Sequence, residues 1–177
     1  TPEVDIKKVK VVNNMGGLIT VNDTLAKTGD KVLVTVTTDA GCKYRHIKTI
    51  PADVLTIKAE KVDATTGAGT YSFTMPSSHL TLIPEFTVPI STAQDLVKIH
   101  RKYGEFLLTK DLDLGTKWDS IIYVYGDFNG NGHRITYGGK NSLFENVYSG
   151  GSVRHLSVNA NVRGKGMYIG GIAAIND

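Results

Sequence analysis

The sequence predicts an all-β protein of two modules. A small β-sandwich or β-grasp-like module covers about residues 1–88, and a helix-capped parallel β-solenoid, broken off at the chain end, covers 89–177. Three observations carry this. Residues 127–158 (DFNGNGHRITYGGKNSLFENVYSGGSVRHLSV) hold short β-branched or aromatic bursts separated by Gly, Asn, Ser and Asp, none long enough for a helix. Strand, turn, strand, turn at that spacing is the pattern of stacked coils, and it returns as Met167-Tyr168-Ile169 and Ile172-Ala173. In the first half, roughly seven apolar–polar alternations punctuated about every ten residues read as short strands. Between the halves, a single stretch has helical spacing.

The elements follow in order. Residues 4–13 alternate Val4, Ile6, Val9 and Val11 against Asp5, Lys8 and Lys10, a half-buried strand. After the turn Asn13–Gly17, Leu18–Val21 is a second. Lys31–Thr38 is the most secure, because Val32, Val34 and Val36 alternate in a β-branched run. Cys42–Ile50 follows, with Tyr44 and Ile47 inward and Pro51 ending it. Val54–Val62, Tyr71–Met75 and Leu80–Val88 complete the module, and Pro84 places the last strand at an edge or a bulge.

Ser91–Tyr103 is the helix. Ser91 with Gln94 has capping-box spacing, Asp95 suits the first turn, and Lys98, Arg101 and Lys102 suit the last. Gly104 stops it. A solenoid exposes its apolar end unless a cap covers it, and this helix is read as that cap. Glu105–Thr109 and Ile121–Val124 are strands. Leu112 and Leu114 point one way, Asp111 and Asp113 the other, and Trp118 packs on the cap or the first coil.

Composition narrows the function classes. The chain has 177 residues, 41% hydrophobic content, 20 basic and 17 acidic residues and net charge +3. No Lys/Arg run of the kind that grips a phosphate backbone is present, so nucleic acid is not expected as a partner. The densest basic cluster, Lys7, Lys8 and Lys10, reads as a solvated strand face. No apolar run approaches the roughly 20 residues of a membrane helix. Cys42 is the single cysteine, so no intrachain disulfide forms. The start TPEVDI reads as processed or excised, and the end GGIAAIND stops inside a repeat pattern, so the chain is expected to be a piece of something longer.

Two resemblances add to this. Gly17–Val21, Lys27–Val36, Asp39–Tyr44 and above all the closing Phe73-Thr74-Met75-Pro76 with the strand ending in Phe86 resemble the internalin-type B-repeat of bacterial surface proteins, over about residues 7–86. The pattern departs where the family has Gly-Tyr: Gly41 is followed by Cys42 and Lys43, with Tyr44 displaced. The resemblance implies a surface-displayed module without an active site. Thr92–Leu96, Tyr103–Leu114, Phe128–Ile135, Ser142–Val147, Val153–Val158 and Gly170–Asn176 resemble the GLUG-motif region of bacterial adhesins and of the non-catalytic part of immunoglobulin-A-specific metallopeptidases. Ser142, Glu145 and Ala174 stand where that family has Gly. This resemblance implies a right-handed parallel β-helix in a secreted or cell-wall-attached protein.

No catalytic, cofactor-binding or metal-ligating constellation emerges. Asp111, Asp113, Asp119 and Asp127 cluster in sequence as the carboxylates of polysaccharide-cleaving enzymes do in space, against solvated turn aspartates as the plainer reading. Asp127–Gly132 has oxygens at alternate positions but lacks the closing Glu of a calcium loop, so it reads as a tight turn. Ser149–Ser152 reads as a corner, not a phosphate cradle. The five histidines form no zinc-peptidase motif. Cys42 reads as structural. Tyr123, Tyr125, Tyr137, Tyr148 and Tyr168 are the candidate ligand-facing aromatics, since aromatics along a solenoid flank can bind sugars or proteins; ordinary cross-coil packing is the alternative. The expected function is an adhesive or display stalk that meets a host protein or glycan. The alternative is the accessory region of an extracellular peptidase or hydrolase whose catalytic domain lies elsewhere.

Overall fold

A computed structural model describes residues 5–164 and 170–176. Val4, Met167, Tyr168, Ile169 and Asp177 lie outside the described residues, and with them the burst at 167–169. The protein is all-β: strands dominate, with one short helix among the described residues. It divides into two units, Thr1–Thr87 and Val88–Asp177.

The first unit contains β1 (Ile6–Val11), β2 (Gly17–Val21), β3 (Leu25–Lys27), β4 (Lys31–Thr38), β5 (Lys43–Ile50), β6 (Lys58–Val62), β7 (Gly69–Thr74) and most of β8 (Leu80–Ile90). One antiparallel sheet runs β2-β4-β7-β6. In the other, β1 lies between β3 (antiparallel) and β8 (parallel), and β5 pairs antiparallel with β8. The alternation of β4 sets the core: Val32, Val34 and Val36 are buried, and Leu33, Thr35 and Thr37 are exposed. The two sheets meet at Gly17, where a Cβ would come within 2.7 Å of the Phe86 ring.

Three details differ from the pattern reading. β3 is unanticipated, because three residues with only Ala26 buried make no visible alternation. β6 begins at Lys58, not Val54, and every residue of it is exposed; it is an edge strand held by β7 alone. At Pro84, β1 has already stopped pairing, since its register ends at Val11–Leu82. The missing N–H therefore breaks no ladder there, and β5 opposite carries a bulge between Tyr44 and His46.

The second unit opens with the end of β8 and with α1 (Ala93–Lys98). The N-cap is Thr92, one residue later than expected, and its partner is Asp95 rather than Gln94. The Asp95 carboxylate accepts from the Thr92 N–H at 3.0 Å and the Ser91 N–H at 3.1 Å, while Thr92 Oγ1 accepts from the Asp95 N–H at 3.0 Å. A charged acceptor makes the stronger cap. The helix stops well short of Tyr103. Arg101 adopts φ 57° and gives its N–H to the Tyr123 carbonyl at 2.9 Å, turning the chain into the strands.

The remaining strands are β9 (Glu105–Leu108), β10 (Leu112–Asp113), β11 (Tyr123–Val124), β12 (Asp127–Asn129), β13 (Arg134–Gly139), β14 (Phe144–Val147), β15 (Ser152–Arg154), β16 (Ser157–Val162) and β17 (Ala173–Asn176). Their pairings with one another are parallel, and the chain visits three sheets in rotation: β9, β12 and β15 in one, β10, β13 and β16 in the next, β11, β14 and β17 in the third. Equivalent residues therefore stack. Phe106, Phe128 and Val153 align, as do Leu112, Ile135 and Val158. Phe106, Phe128, Ile135 and Phe144 are fully buried, and the Phe128 and Phe144 rings meet edge-to-face at 5.2 Å.

Asn129–His133 is a tight turn. Asn129 Oδ1 accepts the Asn131 N–H at 2.9 Å, and the Gly130 and Gly132 N–H groups donate to Arg154 and His155 of the next round. Gly130 is required by close approach, because a Cβ would lie 2.5 Å from Leu156 Cα.

Candidate functional site

Parallel register in the second unit builds the tyrosine cluster. Glu105 stands opposite Asp127, and Val124 opposite Val147. Tyr103, Tyr125 and Tyr148 thus occupy equivalent positions on three successive rounds. Their ring centroids are 5.6 Å apart for Tyr103–Tyr125 and 4.8 Å for Tyr125–Tyr148. Tyr123 joins from the side, 5.8 Å from Tyr148. Its other flank carries His100, stacked at 5.1 Å, and the Arg101 guanidinium 5.0 Å from the ring centre. His100 is fixed by the Tyr123 N–H, which donates to Nδ1 at 3.3 Å. Tyr123, Tyr125 and Tyr148 are half-buried and Tyr103 is exposed. Tilted rings with open edges and a cation on one face suit the C–H face of a sugar or a protein side chain.

Three of the five expected tyrosines therefore share one surface. Tyr137 does not: it is 3% exposed, points inward, and donates its hydroxyl to the Gly171 carbonyl at 2.7 Å. Alternation along β13 decides this, because Ile135 is buried and Tyr137 lies two residues on, on the same side. Tyr168 lies outside the described residues. Tyr103, His100 and Arg101 were missed because the expected helix absorbed them. The signal that could have found Tyr103 is its spacing, 22 residues before Tyr125 and 45 before Tyr148.

The four aspartates divide. Asp111 accepts the Arg134 N–H at 2.9 Å and faces His133 Nδ1 at 3.2 Å; the Arg134 bond first, and His133 with it, hold its carboxyl below the usual carboxylate range. Asp127 accepts the Ser152 hydroxyl at 2.8 Å. Asp113 and Asp119 line one groove of about 980 Å³ along the β10–β13–β16 sheet. Asp113 is tied down by the Gly115 N–H at 2.8 Å. Asp113, Thr136 and Asn159 form one column across this groove, and Lys117, Lys140 and Arg163 also line it. Trp118 borders it, 6% exposed, donating its backbone N–H to Gly138 at 2.8 Å.

Among the described residues, no group of three or more His, Cys, Asp or Glu could hold a metal ion. Cys42 is a free, buried thiol whose pKa is pushed up by burial and by the Asp39 charge, so it carries little thiolate character. The corner at Ser149–Ser152 is closed by the Gly151 N–H donating to Tyr148 at 2.8 Å. No helix of the described residues is long and apolar enough to cross a membrane. No protein-family model, curated protein or solved structure matches the chain.

Proposed function

We propose that this chain is a non-catalytic display module of a secreted or wall-attached bacterial surface protein, and that its second unit is a right-handed parallel β-helix that presents an adhesive face. The first unit, on this reading, is a sandwich-like B-repeat that carries the display. The observation that supports it is the parallel register of the second unit, which turns a chemically ordinary residue into a column: Tyr103, Tyr125 and Tyr148 lie ring against ring on successive rounds. A stacked column is rigid before binding, so little side-chain entropy is lost when a partner docks. The resemblance of residues 91–177 to the GLUG-motif region of adhesins points the same way.

The test is binding of the chain to arrayed host glycans and matrix proteins, alongside the double variant Y125A/Y148A. Specific binding that weakens about tenfold or more in the variant is the expected result for an aromatic hot spot. No binding at high concentration leaves only a spacer role and defeats the adhesive reading. A second reading has one observation in its favour: Asp113 and Asp119 share a groove, as the carboxylates of a polysaccharide-cleaving enzyme would. Release of new reducing ends from an acidic polysaccharide, lost in Asp113→Asn, would establish it.

A further inference from the structure

We propose that the groove along the β10–β13–β16 sheet binds an acidic oligosaccharide, carboxylated or sulfated, lying along the stack. The proposal rests on the reading of the second unit as a ligand-displaying surface and names a ligand class and a site distinct from the tyrosine column.

Charge placement is the first argument. Arg163 gives its N–H to Gly139, which puts its side chain one round beyond Lys140. Lys117 precedes Trp118, which bridges Gly139 from the round before. The three cations thus come from three successive rounds, and neighbouring parallel strands lie about 4.8 Å apart. That interval is close to the length of one pyranose unit. All three side chains are exposed, and among the described residues no carboxylate pairs with any of them. Lys140 and Arg163 stand side by side on neighbouring rounds, while Lys117 lies two positions back on the round before, where Asp119 stands beside Lys140; such a cluster of cations suits a polymer that bears acid groups.

The second argument is the balance of donors. The Trp118 indole Nε1 is buried and has no hydrogen-bond partner among the described residues. Closed off from solvent, that N–H is out of reach of a ligand, so the donors the groove offers are those of its exposed cations. The two lysines and Arg163 add only donors. Asp113 is held by Gly115, and it and Asp119 remain as acceptors for sugar hydroxyls. The floor is kept low by Gly138, where a Cβ would already lie 3.3 Å from the Asn161 carbonyl.

Trp118 is the only tryptophan of the chain, so its fluorescence reports on this groove. The chain is titrated at low salt with hyaluronan hexasaccharide, heparin hexasaccharide, neutral maltohexaose and polyglutamate. A saturable change with an acidic hexasaccharide is expected, weakened by raising salt toward about 0.5 M because the charges are exposed. The exposed double variant K140A/R163A should keep its Tm and lose about tenfold or more in affinity, as removal of charge-assisted bonds does. The groove assignment is overturned if neutral sugar or polyglutamate binds as well, if no acidic sugar alters the fluorescence, or if K140A/R163A binds unchanged. Binding abolished by Y125A/Y148A but kept by K140A/R163A removes the groove and leaves the adhesive reading standing. Silence here and on the arrays removes both.

Discussion

Glu85 is a buried charged residue. It sits on β8 with its side chain 6% exposed, and it is accommodated because Lys48 Nζ lies at 2.7 Å and His46 Nε2 at 3.2 Å, both reaching across from β5. A buried carboxylate that loses a partner is left with its desolvation uncompensated. Lys48→Met should therefore lower stability by about 1–3 kcal/mol, the usual cost of an unsatisfied buried polar group. Urea unfolding of the two proteins would measure it, and an unchanged midpoint would show that His46 suffices. Gly130→Ala places a methyl 2.5 Å from Leu156 Cα, so the turn must move away from the next round. A loss of about 1–3 kcal/mol is expected from such overpacking, with faster amide exchange at Gly130 and Gly132, whose N–H groups donate across that gap.

At the scale of elements, the cap of α1 sets a pH dependence. Burial raises the Asp95 carboxyl pKa, but the hydrogen bonds from Thr92 and Ser91 outweigh it, and the net shift is downward. A depressed folded pKa means that the carboxylate adds stability above its unfolded value near 3.9, and that this contribution is lost as pH falls through the folded value. Asp95→Asn should thus lower Tm at pH 7, by an amount matching the roughly 1 kcal/mol typical of a cap. The gap between variant and parent should close as the pH falls through the depressed folded value. A gap that stays constant with pH would mean that the carboxylate's charge contributes nothing. The elements also show where the sequence was legible. β4 was plain because three valines alternate with solvent-facing residues. The helix end was not, because Arg101 leaves the helical path through a bond to Tyr123, 22 residues away, and no local propensity records such a partner.

At the scale of the whole molecule, the parallel pairing of the second unit makes nearly every strand contact non-local. Leu112 meets Ile135, and Ile135 meets Val158, so each step of the stack closes a loop of 23 residues. Loop closure must precede the contact that rewards it, which places refolding on the order of milliseconds to seconds rather than microseconds. Trp118, buried on the first round, makes stopped-flow fluorescence a direct reading of that unit. A microsecond phase carrying the full amplitude would contradict the expectation.

The sequence by itself determined the all-β class, the alternating strands of the first unit and the turn character of Asp127–Gly132, because strand period and turn chemistry are local properties of neighbouring residues. It also singled out Tyr123, Tyr125 and Tyr148. Only the tertiary structure decided that these three meet Tyr103 and Arg101, that Tyr137 turns inward, and that Asp113 and Asp119 share a groove while Asp111 and Asp127 do not. Those outcomes depend on register between strands about 23 residues apart. Shifting a strand by one residue exchanges its two faces, and a periodicity read along the chain carries no information about which strand lies alongside.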